Sequence, residues 1–541
     1  MVYPKKRPTK YIFVTGGVIS GLGKGIVAAS LGNLMKARGY NVSMQKFDQY
    51  INVDAGTLNP TEHGEVFVTE DGAETDLDLG HYERFIDRNL TSECSVMTGN
   101  IYYNVITAER RGEYLGKTVQ IIPHITNEAK RQIIECARAN RADIHIAEIG
   151  GTVGDYEGLY LLEAIRQLKM ELGAENVLYV HVVFLPFLGT SKEIKSKPAQ
   201  NSVRDLRSIG IQPDVIVCRS DYLITEEALK KIILFSDVGE EAVVPLQTVK
   251  IFYEAPLILE RFGLGDYICQ KLNLPLQNPD HRQWEKLIEK IKSAEGEISI
   301  GLVGKYMAHE DTYLSVTEAI KAACWYHGFE ADICRIDSEI LEAGNLEPLK
   351  QVTGIIVPGG FGERGIEGKI MAINFARENK IPYLGLCLGM QLAVVEFARK
   401  ALKSKEVGST EFKPSIKHPV ISLMSEQKKI VKKGGTMRLG AYPCILQKDS
   451  FSYRAYKKEK IFERHRHRYE FNNAYRSRLE KAGLKVAGTS PDNKLVEIIE
   501  IPDHPWFVGT QFHPEFKSRP FRPHPLFRDF VAACIKTSTL L

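Results

Sequence analysis

Short apolar runs alternate with amphipathic stretches along the whole chain, the pattern of α/β domains built on parallel sheets. In the first half, runs at 11–15, 42–46, 143–149, 177–185 and 214–218 predict strands, and 126–139 and 159–171 carry helical periodicity between them. Around 272–281 the sequence turns polar and gains prolines, a charged helix-like stretch covers 284–293, and a new apolar run starts at 298. That shift divides the chain into a first domain at 1–274, a linker at 275–297 and a second domain at 298–541. The second half alternates in the same way through 353–357, 382–386 and 506–511. Neither half contains an internal repeat, and 536–541 reads as a frayed tail. The pattern predicts an α/β protein with two doubly wound, mainly parallel-sheet domains.

Length supports this division, because 541 residues exceed a single core. A content of 44% hydrophobic and 26% charged residues is ordinary for a soluble globular protein. A net charge of +4 is too mild to argue for a nucleic-acid partner. Nine scattered cysteines without a CxxC pair read as reduced thiols in a cytosolic compartment, not a disulfide frame or zinc site. The longest apolar run, 177–189, contains His181 and Pro186 and is too short to span a bilayer. The N-terminus lacks a long apolar segment of the secretory kind. The expectation is a soluble, cytoplasmic protein with no membrane partner.

Gly385-Leu386-Cys387-Leu388-Gly389 is the most informative short run. An extended stretch leads into it and a helical pattern at 390–398 leads out, which is the strand-to-helix elbow that exposes a nucleophile. The following helix directs its N-terminal N–H groups at the sulfur and favours thiolate. Flanking glycines keep Cβ atoms away from the attacked carbon. Downstream, Gln511-Phe512-His513-Pro514-Glu515 offers a base with a carboxylate two positions on. A free cysteine is more often a buried structural residue, but the elbow and the His-Pro-Glu run together favour a nucleophile.

In the first half, 11–15 runs into Gly16-Gly17-Val18-Ile19-Ser20-Gly21-Leu22-Gly23-Lys24-Gly25 and then an amphipathic helix at 26–38. Strand, glycine-rich loop with lysine, and helix form a phosphate cradle in which Lys24 neutralises charge. The spacing from Gly17 to Gly23 is one residue longer than the standard motif, and Gly25 stands where a Ser or Thr would hold Mg²⁺. A bound metal must then rest on carboxylates elsewhere. Asp76 and Asp78 lie in an acidic cluster at 71–81, and Glu148 ends the apolar run 144–147, where open α/β sheets bind ligands. Turn capping and solvated strand ends are the plainer explanations; Asp78 and Glu148 are favoured as ligands. The basic run Lys192 to Lys197 suits a second polyphosphate, although a solvated loop is the commoner explanation. Lys46 adds a cation near the same sheet edge.

These stretches resemble the CTP synthases, glutamine-dependent amidoligases that convert UTP to CTP, along essentially the whole chain. The matching segments include 11–25, 50–54, 63–81, 109–115, 119–127, 148–155 and 208–214 in the first half. They continue at 357–362, 385–391, 409–412, 434–440, 463–470 and 511–515. The resemblance implies a synthase domain of the P-loop kind fused to a class I glutamine amidotransferase domain. It implies ATP on Ser20, Gly21, Leu22, Gly23, Lys24 and Gly25 and beside Asp78, with Mg²⁺ on Asp78 and Glu148. UTP is expected near Ser20, Lys195, Gln200 and Lys231, with Lys46 serving phosphoryl transfer. Product CTP is expected to inhibit from an overlapping site near Asp155, Glu157 and Phe235.

For the second domain, the expected oxyanion hole is the N–H groups of Gly360 and Leu388, and Gln391, Glu411 and Arg468 are expected to hold glutamine. The alternative for Arg468 is an ion-pair network within 463–468. GTP is the family's activator, with Arg364 and the 434–440 loop as candidate contacts. The resemblance also implies an ammonia passage and a homotetramer built through the synthase halves, with filaments as a further form. Several residues depart from the family pattern. Gln49 replaces the usual proline, Tyr156 and Gly158 replace Ile and Ser, and Ala199 and Asn201 replace Thr and His. None of these removes a catalytic group; the last four bear on nucleotide affinity and CTP inhibition. A rival reading is another P-loop amidoligase that amidates or cyclises carboxylates. A second rival is a structural or regulatory protein with a dead site. Intact Lys24, Asp78, Glu148, Cys387, His513 and Glu515 count against the second.

Overall fold

The computed structural model describes residues 8–305, 307, 309–423 and 437–538. The described residues form two compact units, one from residues up to 54 together with 78–288, the other from 55–77 together with 289 onward. The stretch expected to form one continuous first domain is therefore interrupted. Residues 55–77 belong with the second unit because their acidic side chains find partners there. The Ser315 N–H donates to Glu65 at 2.8 Å, Arg464 Nε to Glu70 at 2.9 Å and Arg466 Nε to Glu74 at 2.8 Å. Phe67 adds an edge-to-face contact with Phe516 at 5.0 Å.

Inside the first unit, seven strands form a wholly parallel sheet. Their spatial order is Val243–Gln247, Val215–Ser220, Val177–Phe184, Lys10–Gly17, Ile144–Ile149, Val42–Asp48 and Ser95–Met97. The inner strands are buried along nearly their whole length, as expected for a sheet covered by helices on both faces. After Ile144–Ile149 the chain crosses to the other side of Lys10–Gly17. That crossing makes the carboxyl ends of these strands the natural ligand crevice.

The second unit carries a nine-stranded sheet. Glu330–Asp337, Glu297–Gly304, Gly354–Val357, Tyr383–Leu386 and Phe507–Thr510 run parallel. Val496–Glu500, Lys485–Thr489, Arg438–Leu446 and Lys460–His467 extend it antiparallel. Apolar clusters cover both faces, one around Val357, Met390 and Val394, the other around Ile300, Leu386 and Phe530.

The charged helix-like stretch expected within 275–297 is the helix Arg282–Lys292, which buries Trp284, Leu287, Ile288 and Ile291. The expected frayed tail begins too early. Lys536 lies inside the helix Pro525–Ser538, held by Phe527, Phe530, Val531 and Cys534, and 539–541 fall outside the described residues.

Candidate functional site

Within the second unit, the strand Tyr383–Leu386 turns at Cys387 into the helix Leu388–Leu402. Cys387 takes φ +52°, a left-handed backbone that a side chain adopts only where the surroundings enforce it. The turn is enforced by close packing on either side of the thiol. A Cβ on Gly389 would lie 2.1 Å from the Val357 carbonyl oxygen, and one on Gly385 would lie 2.8 Å from the Gly389 carbonyl carbon. The Cys387 N–H donates to the Thr510 carbonyl at 2.7 Å, which ties the elbow to the strand leading to His513.

His513 Nδ1 and Glu515 Oε1 are 2.7 Å apart, and both side chains are buried. Burial works to lower the imidazole pKa, but the Glu515 carboxylate and then Cys387 raise it to about 10, so the ring holds its proton at neutral pH. Among the described residues, His513 Nε2 has no hydrogen-bond partner. A cavity of about 190 Å³ brings Cys387, His513 and Glu515 together with Gly359, Gly360 and Phe361, and residues Pro60, Glu65 and Val66 form part of its wall. Gly359 must lack a side chain, because its Cβ would meet His513 Cε1 at 2.7 Å.

Gln391, Glu411 and Arg468 are not among the residues lining that cavity. Gln391 Nε2 donates to the Tyr469 carbonyl at 2.9 Å and to Gln511 Oε1 at 3.4 Å. Burial raises the Glu411 pKa, and the Gly362 N–H and the Lys305 and Arg468 charges work against that rise. Leu388 packs within 3.6 Å of the Cβ position of Gly360. Gln511, part of the Gln-Phe-His-Pro-Glu run, is an additional site residue: its Nε2 reaches Cys387 Sγ at 3.8 Å. Position within Gln-x-His-Pro-Glu was the available signal.

Arg364 lies half-exposed, with Nη2 donating to the Lys305 carbonyl at 3.0 Å and Nε 3.4 Å from Glu339. Of the 434–440 loop, 434–436 fall outside the described residues. Gly440 has φ +86°, and a Cβ there would lie 2.7 Å from the Gly72 nitrogen.

The first unit gathers a second constellation at the carboxyl ends of its strands. Lys24, on the first turn of the helix Lys24–Ala37, donates from Nζ to the Gly151 carbonyl at 2.7 Å, and burial lowers its pKa. Lys46 and Glu148 are direct register partners on adjacent strands, 3.3 Å apart. Lys46 also pairs with Asp78 and lies 3.6 Å from Asp48. Tyr82 donates to Glu148. Burial raises the carboxyls of Asp48 and Glu148; for Asp78 burial is outweighed by Lys46, which holds it below the usual range. Gly25 is required here, since a Cβ would fall 2.0 Å from Asp78 Oδ1. Local sequence pattern does not mark Asp48 or Tyr82, although Asp48 ends its strand and Glu148 is the penultimate residue of its own.

Among the described residues no group of three or more His, Cys, Asp or Glu side chains is arranged to hold a metal by itself. Mg²⁺ typically takes one or two carboxylates and completes its shell with phosphates and water. Asp78 and Glu148 fit that donor set, and beside them Asp48 Oδ2 is a buried acceptor with no hydrogen-bond partner among the described residues.

The remaining nucleotide candidates lie on loops and helix ends. Lys195 pairs with Glu193, and Lys231 with Glu227 at 2.7 Å. Gln200 Nε2 donates to Ser196 Oγ at 3.1 Å. Asp155 Oδ2 accepts from the Thr152 N–H at 2.8 Å; Glu157 and Phe235 are exposed, as are Ser20 and Gly21 of the glycine loop. Gln49 wedges its amide against Gly151 and Gly158, whose Cβ positions would each lie 1.9 Å from it. The absence of a side chain at 158 is what admits the glutamine at 49. No helix among the described residues is long and apolar enough to cross a membrane.

Comparison with known proteins matches both halves of the chain. A family model described as CTP synthase N-terminus matches residues 10–274, and one described as glutamine amidotransferase class-I matches 308–533. The CTP synthase of Carboxydothermus hydrogenoformans is 58% identical over 533 residues, covering 98% of this chain and 100% of that protein. The CTP synthase of a Roseiflexus species is 59% identical over 530 residues, covering 98% and 95%. Among solved structures, the Trypanosoma brucei CTPS glutaminase domain with bound acivicin is 39% identical, covers 44% of this chain and 94% of that one, and gives a TM-score of 0.42. The chain belongs to the CTP synthase family.

Proposed function

We infer that the chain carries out its family's reaction, the ATP-dependent amination of UTP to CTP with ammonia drawn from glutamine. The observation that carries this reading is that one chain holds both a thiol elbow facing a protonated imidazole and a glycine loop closed on Asp78. It is a ligase that forms a C–N bond, and it draws on glutaminase chemistry for the nitrogen.

In the second unit, Cys387 thiolate adds to the side-chain amide carbon of glutamine. The N–H groups of Gly360 and Leu388 stabilise the oxyanion, each by roughly 3–4 kcal/mol. His513 gives its proton to the departing nitrogen, ammonia leaves, and a thioester remains. Water then attacks, the neutral ring takes its proton, and the thiolate leaves as glutamate is released, which restores the thiolate and the protonated ring. Glu515 orients the ring and favours its protonated form. Gln391, Glu411 and Arg468 hold the polar ends of glutamine.

In the first unit, Ser20 to Gly25 take the ATP phosphates, with Lys24 near the charge that moves. Lys195, Gln200 and Lys231 receive UTP, and Asp155, Glu157 and Phe235 surround the ring of product CTP. O4 of the uracil accepts the γ-phosphoryl group, ADP leaves, and ammonia displaces phosphate at C4. Lys46 offsets charge on the transferring group. Asp78 and Glu148 are the residues that would hold Mg²⁺, which when bound neutralises phosphate charge.

We also propose GTP activation through Arg364 and the 434–440 segment, a cytoplasmic location, and a homotetramer joined by the synthase halves. The tetramer reading is supported by exposed Tyr103, Ile106, Leu115, Ile121, Ile122 and Tyr156 on the first unit. The test is CTP formation from UTP with ATP and Mg²⁺, supplied with glutamine or with ammonia, with and without GTP. UTP-dependent release of ADP is expected with both nitrogen sources, and ADP release without UTP would contradict the substrate assignment.

A further inference from the structure

One buried polar tie in the first unit has no part in the chemistry described so far. His181 and Thr15 are direct register partners on the adjacent parallel strands Val177–Phe184 and Lys10–Gly17. Thr15 Oγ1 lies 2.9 Å from His181 Nδ1, and His181 Nε2 lies 2.9 Å from Ser202 Oγ on the helix Lys197–Ser208. All three side chains are buried, and His181 is fully so. Burial, helped by the nearby charge of Lys24, pushes the imidazole down to about 3, so the ring stays neutral and needs no counter-ion. A neutral ring has one N–H donor and one acceptor nitrogen, and two hydroxyls that can each donate or accept satisfy both.

The ends of this tie lie on the two nucleotide segments. Thr15 is followed directly by the glycine loop, and Ser202 follows Gln200 on the helix that opens just after Lys195. The contact between loop and helix is direct. A Cβ on Gly17 would fall 1.6 Å from Ser202 Oγ and 3.4 Å from His181 Cε1, so the loop backbone rests on these two side chains.

We propose that His181 is a positioning residue for phosphoryl transfer: through Thr15 and Ser202 it fixes the ATP loop against the helix that carries the UTP-side residues. The inference rests on the nucleotide placement given under the proposed function. Its physical basis is that transfer between two bound reactants depends on their separation, so a shift of about 1 Å in either support lowers turnover far more than it lowers binding.

The test uses the full chain, with ammonia as the nitrogen source. Ser202→Ala and Thr15→Val each remove one hydroxyl, while Thr15→Ser keeps it. The first two are expected to lower kcat about tenfold or more with KM for ATP and for UTP within about threefold. Thr15→Ser is expected to stay within about twofold, and basal glutamine hydrolysis is expected to be unchanged in all three. A lowered thermal midpoint with kcat intact would overturn the inference, leaving a purely structural tie. A raised KM for one nucleotide with kcat intact would overturn it as well. If the unaltered chain makes no CTP from ammonia, the nucleotide placement fails and the inference falls with it.

Discussion

Replacing Glu515 by Gln keeps the shape of the residue that orients His513 and removes its charge. Glu515 Oε1 is 2.7 Å from His513 Nδ1, and the imidazole rises from an ordinary 6.5 to about 10 against the effect of burial. At 1.36 kcal/mol per pKa unit, that rise amounts to ~5 kcal/mol of preference for the protonated ring, shared between Glu515 and Cys387. Losing about half of it, ~2.5 kcal/mol, shifts the balance between protonated and neutral ring by roughly 70-fold, a ceiling that the rate loss approaches only as pH rises. A raised imidazole pKa means that the stabilisation is complete below the ordinary value and disappears as pH climbs through about 10. Without the carboxylate, burial meets less opposition and the ring loses its proton at a lower pH. The assay is CTP formation from about pH 6 to about pH 9, with glutamine and with ammonium chloride as parallel nitrogen sources. Glu515→Gln is expected to lower the glutamine-dependent rate, most strongly at the alkaline end, and to spare the ammonia-dependent rate. Glutamine-dependent activity within about threefold of the unaltered chain, with an unchanged pH profile, would refute the reasoning.

Three further outcomes are expected. Gly25→Ser places a Cβ 2.0 Å from Asp78 Oδ1, so ammonia-dependent synthesis should fall by ~10² or more while glutamine hydrolysis persists, read as ADP and glutamate release. Glu470 is raised to about 8, first by burial and then by Glu497, so this carboxyl binds its proton more tightly in the folded state. Its contribution makes stability fall from about pH 5 to about pH 8 and level off above, and Glu470→Gln should flatten that slope in denaturant titrations. Gly158→Ser should displace the Gln49 amide at a cost below ~1 kcal/mol, because the clash is with the end of a flexible side chain and φ at 158 is an ordinary −96°. The cost should vanish when Gln49→Ala is added; an equal cost in both backgrounds would refute the packing argument.

Much of this arrangement can be read from local pattern. Strands at 11–15, 42–46 and 143–149 announce themselves because they are buried on both faces and therefore continuously apolar. Cys387, His513, Glu515, Lys24 and Gly25 sit in runs whose glycines and spacing reflect backbone geometry, so residue type alone points to them. What escaped depends on contacts distant in sequence. Residues 55–77 have no periodicity of their own and follow the second unit because Glu65, Glu70 and Glu74 meet Ser315, Arg464 and Arg466 there. Asp48 and Tyr82 become part of the carboxylate cluster only once neighbouring strands and the helix Asp78–Ile86 converge on Lys46 and Glu148. The Thr15–His181–Ser202 tie is invisible for the same reason, since its members lie on two strands and a helix far apart along the chain.

The central claim is a division of labour, in which Cys387 releases nitrogen and the first unit commits it to the pyrimidine. Cys387→Ala measures this most directly, because it removes the nucleophile and leaves Lys24, Lys46, Asp78 and Glu148 in place. Glutamine-dependent CTP formation should disappear while ammonium chloride supports CTP formation at the rate of the unaltered chain. Retained glutamine-dependent synthesis, or the loss of synthesis with ammonia as well, would contradict it.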